Sequence, residues 1–239
     1  MTAELLQDLM ALWLTVKLAL TTVTILLVIG LPLAWWISQY RGVMRPFIQA
    51  LITLPLILPP TVLGFYLLLA FAPNSPLGQA WQTLTGAPFV FSYAGILVGS
   101  IIYSLPFVMQ PLIVAFTQHG SHSSLQARTL GIPPSKHFLF LLLPAIKPAI
   151  VTGAVLGFAH TLGEFGLILM VGGNIPEQTQ VVSIALYNHV EMLNYQRAHR
   201  LALIMLILSM LVLTLLFRYN KAAFSGVLMT QGSRARDAR

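Results

Sequence analysis

The sequence predicts an all-α membrane protein of about five transmembrane helices, with the N-terminus outside and the C-terminus inside. Three observations carry that prediction. Of 239 residues, 57% are hydrophobic and 8% charged, against roughly 25% charged in soluble domains, so polar side chains are too few to cover a water-facing surface. The apolar residues cluster in runs of about twenty or more, enough to cross a hydrocarbon core of about 30 Å. The connecting segments alternate between cation-rich and cation-poor.

The spans are expected at about residues 10–37, 47–72, 91–117, 146–171 and 200–218. Arg41 and Arg45 lie between the first two, and Arg128 and Lys136 between the third and fourth. The 73–90 loop has no charged residue, whereas 172–196 has only Glu177 and Glu191. Cytoplasmic flanks hold excess Lys and Arg, which orients the chain. Arg197 and Arg200 fit less well, at the outer end of the last span. Either they snorkel to the headgroups or that region has a local anionic role. Glu4 and Asp8 precede the first cation, Lys17. A cleaved signal peptide starts basic, so the first apolar segment reads as retained.

Residues 1–220 read as one membrane domain, followed by a basic cytoplasmic tail over 221–239. Of the thirteen cations, five lie in the last 22 residues. With no basic face in view, the net charge of +7 reflects topology and membrane lipid rather than nucleic acid. The absence of cysteine excludes disulfides, thiolate catalysis and cysteine-ligated metal. Turn residues fill both outer loops, Pro73-Asn74-Ser75-Pro76 and Gly172-Gly173-Asn174-Ile175-Pro176. The pairs Gly95/Gly99 and Gly153/Gly157 each put two glycines on one helix face, for close approach within the chain or between subunits.

Residues of about 120–144 are too polar to span. Ser121, Ser123 or Ser124 is expected to cap a short helix containing Leu125 to Leu130, with Gly131 ending it and Pro133-Pro134 forbidding continuation. Three prolines, Pro55, Pro59 and Pro60, followed by Thr61, must distort or break the second span. Broken membrane helices are tolerated where they line a cavity or are buried in protein. In the fourth span, Glu164 sits within Leu162-Gly163-Glu164-Phe165-Gly166, eighteen residues beyond Ile146. That places it roughly 27 Å along, near the outer boundary. A carboxylate at membrane depth points to function, and His160, four residues earlier, is its expected partner.

The segment Leu125-Gln126-Ala127, Gly131, Leu141 and Leu143-Pro144 resembles the coupling signature of binding-protein-dependent ABC importer permeases. Leu125 stands where that signature has glutamate, and Gln126 replaces an alanine. Together with Pro55-Leu56-Ile57-Leu58-Pro59-Pro60, Leu162-Gly163-Glu164-Phe165-Gly166 and Asn174-Ile175-Pro176 with the later Thr179, the chain is similar to the molybdate permeases over roughly residues 10–220. Sulfate/thiosulfate permeases share much of the pattern and are the alternative. Members often carry Arg where His160 stands, so a fixed cation becomes a titratable one.

The resemblance implies a type I importer transmembrane domain working as a homodimer in the bacterial inner membrane. An ABC ATPase dimer would dock below, and a periplasmic oxyanion-binding protein would deliver molybdate, with tungstate as a co-substrate. It assigns ATPase coupling to Gln126, Ala127, Arg128, Thr129, Leu130, Gly131 and Pro144. Pathway or gate roles fall to Pro59, Pro60, Thr61, His160, Gly163, Glu164, Phe165 and Gly166. Asn174, Pro176 and Thr179 would face the binding protein. None of the four lysines follows a glycine as a phosphate-binding loop requires. ATP and Mg thus belong to the partner ATPase, and no cofactor is expected in this chain. A polytopic membrane enzyme is the distant alternative. It would need clustered His, Asp or Glu, and the six histidines show no metal-ligand spacing.

Overall fold

The computed structural model describes residues 3–129 and 131–219, all helix and connecting turns. The expected basic tail, 221–239, lies outside the described residues. Three helices are long and apolar enough to cross a membrane: α1 (Ala3–Gln39), α5 (Tyr93–Thr129) over Tyr93–Gly120, and α11 (Tyr195–Tyr219). Two bent pairs bring the total to five if each counts as one span. The core follows α1 and α5, where Leu26, Ala34 and Ile37 meet Val108, Met109, Leu112 and Phe116. In lipid these contacts gain dispersion rather than hydrophobic energy. α11 is far less covered and exposes Leu206, Ile207, Met210 and Leu211.

The second span is two helices, α2 (Arg45–Ile57) and α3 (Pro60–Ala70), whose axes turn by 109°. A residue before proline is driven out of the helical region. Leu58 and Pro59 both precede one, and both are extended, each with ψ 136°. Pro60 then opens α3, where its missing N–H costs nothing. Pro55, one turn earlier, remains inside α2. The predicted fourth span is broken too, at a point separate from the second bent pair, which joins residues 137–145 to 147–162. α8 (Lys147–Leu162) stops at Gly163, and α9 (Gly166–Gly172) restarts after Phe165. The predicted continuous span over 146–171 is therefore corrected, because glycines on both sides of Glu164-Phe165 relax the backbone there.

Both glycine pairs work within the chain. A Cβ on Gly157 would meet Val108 Cγ2 at 2.6 Å, and one on Gly153 would meet the Val108 carbonyl at 3.0 Å. They hold α8 against α5, while Gly95 and Gly99 accept Val171 and Leu167 of α9.

The cytoplasmic connection differs from the expected short capped helix. α5 continues without a break to Thr129, so no cap forms at Ser121, Ser123 or Ser124. Gly131 does follow the helix end, at φ 68°. Beyond it come α6 (Pro134–Lys136), a π-helical stretch His137–Leu142, and α7 (Leu143–Ala145); the last two together meet α8 at 68°. The 73–90 loop contains an unpredicted helix, α4 (Pro76–Thr85). Ser75 caps it, its Oγ accepting from the Gly78 N–H at 2.9 Å. Trp81 of α4 packs edge-on against Phe89 at 5.2 Å. The outer end is closed by α10 (Val182–Glu191).

Candidate functional site

The two helix breaks meet. A Cβ on Gly166 would touch Thr61 Cγ2 at 3.2 Å and Pro60 Cγ at 3.3 Å, so the elbow of the second span rests on the break in the fourth. Between them and α5 opens a cavity of about 600 Å³. Of the predicted pathway residues, Pro60, Thr61, His160, Gly163, Glu164, Phe165 and Gly166 line it, and Pro59 does not. Tyr103 and Ala159 complete the wall.

Glu164 is 4% exposed, yet neither carboxylate oxygen completes a hydrogen bond among the described residues. The Leu167 N–H acts on it from the first turn of α9. Its own carbonyl is held, accepting from Ser183 Oγ at 2.6 Å. The predicted pairing with His160 does not form. Helix α8 ends at Leu162, which removes the one-turn spacing on which that pairing depended. His160 bonds instead through Nδ1 to Ser104 Oγ at 3.0 Å, and Ser104 Oγ bonds Thr161 Oγ1 at 3.0 Å. The His160 ring stacks on Phe107 with centroids 4.0 Å apart.

A second polar cluster lies at the outer end. Asp8 Oδ1 accepts from Arg197 Nη2 at 2.9 Å and His189 Nε2 at 3.2 Å, tying α1 to α10 and α11. A cavity of about 340 Å³ adjoins this cluster, lined in part by Gln180, Asn188 and Asn194. Arg197 is thus a structural ion-pair partner, which accounts for its place on the cation-poor side. Arg200 is exposed.

In the loop between α9 and α10, Asn174 and Pro176 are exposed. Thr179 is not, and its predicted outward role is corrected. It is fully buried, its Oγ1 donating to the Gly172 carbonyl at 2.7 Å and accepting from the Ile175 N–H at 3.2 Å. It braces the loop from within.

On the cytoplasmic side Thr129, Gly131 and Pro144 are exposed. The side chains of Gln126, Ala127 and Arg128, and all of Leu130, lie outside the described residues. Among the described residues, no three of His, Cys, Asp and Glu converge to hold a metal ion.

Residues 14–225 match the family described as binding-protein-dependent transport system inner membrane component. The chain belongs to this family. It is an inner-membrane permease component, and not itself a catalyst. It is 47% identical to the molybdenum transport system permease protein ModB of Azotobacter vinelandii, over 91% of this chain and 97% of that protein. It is 30% identical to ModB of Haemophilus influenzae, over 87% and 91%. The sulfate transport system permease protein CysT of Escherichia coli K12 is 32% identical, over 78% of this chain and 67% of that protein.

Sequence reasoning missed Tyr103, Ser104 and Thr161. Their only signal was hydroxyls within apolar runs, where a buried polar group needs a partner.

Proposed function

We propose that the chain is the membrane subunit of a molybdate importer, with tungstate as a co-substrate, and that its pathway runs through the cavity between the two helix breaks. The observation that supports this most is the buried Glu164 carboxyl, without a side-chain partner among the described residues, in a cavity built by the two discontinuous spans. Irregular backbone is stable at membrane depth where it lines a cavity, and an ionisable group there serves function. The choice of anion leans on the degree of likeness to the two kinds of relative.

Two copies of the chain surround the pathway. An ATPase dimer docks around Gln126 to Gly131 and Pro144, carrying its own ATP and Mg. A periplasmic oxyanion-binding protein meets the exposed Asn174 and Pro176. ATP binding closes the ATPases, and the coupling segment transmits that motion through α5, which is continuous from Thr129 to the cavity wall at Tyr103. The elbow at Leu58–Pro59 and the break at Gly163–Phe165 absorb the movement and open the outer gate. Hydrolysis resets it. Glu164 belongs to the gate, since an exposed carboxylate would repel a dianion. The pathway needs only weak contacts, because a tight site would slow release.

Anion binding to the partner binding protein and uptake by the full complex test this directly. Preference for molybdate over sulfate in both is expected. Preference for sulfate would make the chain a sulfate permease and leave the cavity assignment standing.

A further inference from the structure

The hydrogens around Ser104 can be counted. Thr161 Oγ1 has one hydrogen and gives it to the Gly157 carbonyl at 2.9 Å, because a carbonyl can only accept. In its 3.0 Å contact with Ser104, Thr161 Oγ1 must therefore accept, which uses the single Ser104 hydrogen. Ser104 Oγ is then left to accept from His160, so the ring proton of the neutral imidazole sits on Nδ1. Ser104 and Thr161 are both buried, 0% and 1% exposed, so no water competes for these roles. Nδ1 keeps its hydrogen in both charge states of the ring. Any proton gained or lost comes and goes at Nε2, which has no partner among the described residues and lies on the edge of the ring away from Ser104.

Without that proton, Nε2 is an acceptor in a cavity whose lining also includes Glu164. A tetrahedral dianion offers only acceptors too. The hydroxyls of Thr61 and Tyr103 are the other polar groups of the lining.

We propose that His160 is an oxyanion-contacting residue of the pathway, presenting Nε2–H to the passing oxyanion once protonated, with Ser104 and Thr161 as positioning residues that fix its tautomer. The proton comes from the outer aqueous phase, an N–H bond forms at Nε2, and the same bond breaks when the proton returns to water. No other bond changes. Two titratable groups line the cavity with His160, and α11, which also packs on α8, carries His199 and Arg200 near its outer end. α5 contributes Tyr103, the break after α8 contributes Glu164, and α3 brings only Pro60 and Thr61. α1 packs on α8 near Val23 and Gly157, through a stretch without titratable residues from Leu18 to Trp36. This inference rests on the cavity being the pathway.

The test uses the complete complex with its ATPase and binding protein in proteoliposomes. The readout is molybdate moved per ATP hydrolysed as external pH is raised, which removes the ATPase's own pH dependence. For the wild type that ratio should fall by about tenfold per pH unit above the site's midpoint. H160R, permanently charged, should be flat over the same range. Ser104→Ala releases the tautomer and should shift the midpoint while assembly persists, so the wild-type and S104A profiles decide the matter even if the arginine variant does not assemble. A flat wild-type ratio, or an unchanged S104A profile, overturns the proposal. If Glu164→Gln is impaired and the pH profile is flat, only the proton inference falls; the pathway reading itself fails if a thiol at T61C is labelled from outside in neither state of the complex.

Discussion

Asp8 and Glu164 are both buried carboxylates, 8% and 4% exposed, and they are treated in opposite ways. Asp8 takes hydrogen bonds from an arginine and a histidine more than 180 residues away in the chain. Glu164 has the Leu167 N–H acting on it but no side-chain partner among the described residues. Removing a charge from water costs several kcal/mol unless partners restore its interactions. At Asp8 the partners are present, and the result is a latch joining the first helix to the last. At Glu164 no such side chain is present among the described residues, and the site keeps a demand that another state or another subunit can satisfy. Burial alone does not separate a structural acid from a functional one; the partners do.

Three substitutions can break or sharpen that contrast. The largest effect is expected from Asp8→Ala, which takes the anion from a buried pair and should cost about 3 kcal/mol. Thermal unfolding of the purified complex would read it, and an unchanged midpoint would make the latch decorative. Thr179→Val belongs to the same outer region. It strips two hydrogen bonds from a fully buried hydroxyl site, leaving the Gly172 carbonyl and Ile175 N–H unpaired. A loss of about 1.5 kcal/mol is expected in the same measurement. Glu164→Gln should do the reverse. The unfolding midpoint should hold, because no side-chain partner among the described residues is lost, while oxyanion uptake falls about tenfold, equal to ~1.4 kcal/mol on the gate equilibrium. Wild-type uptake by that variant would remove Glu164 from the gate.

Much of this contrast was legible in the sequence, and the reasons are local. Pro59-Pro60 dictates a break by sterics alone, and the structure turns by 109° there. The seven predicted residues that line the cavity carry their signals in prolines, glycines and one charge at membrane depth. What escaped was long-range. Nothing near Arg197 announces Asp8, so its position on the cation-poor side looked anomalous until the fold joined them. The His160–Glu164 pairing assumed one unbroken helix, and Gly163 ends it. Thr179 was given an outward role by the family resemblance, yet a polar loop needs an inner brace for its own backbone, and Thr179 is that brace. α4 was hidden because its apolar residues are too few to suggest a helix against the turn residues before it.

The central claim is that the cavity at the two helix breaks is the pathway, opened by the ATPase. The chain has no cysteine, so a single T61C substitution gives one reactive thiol in an exposed lining position. Its labelling by a membrane-impermeant thiol reagent added outside should be measured in the assembled complex, with and without trapped ATP. Labelling should be slow without nucleotide and fast with ATP trapped. Equal rates in the two states, or no labelling in either, would contradict the account.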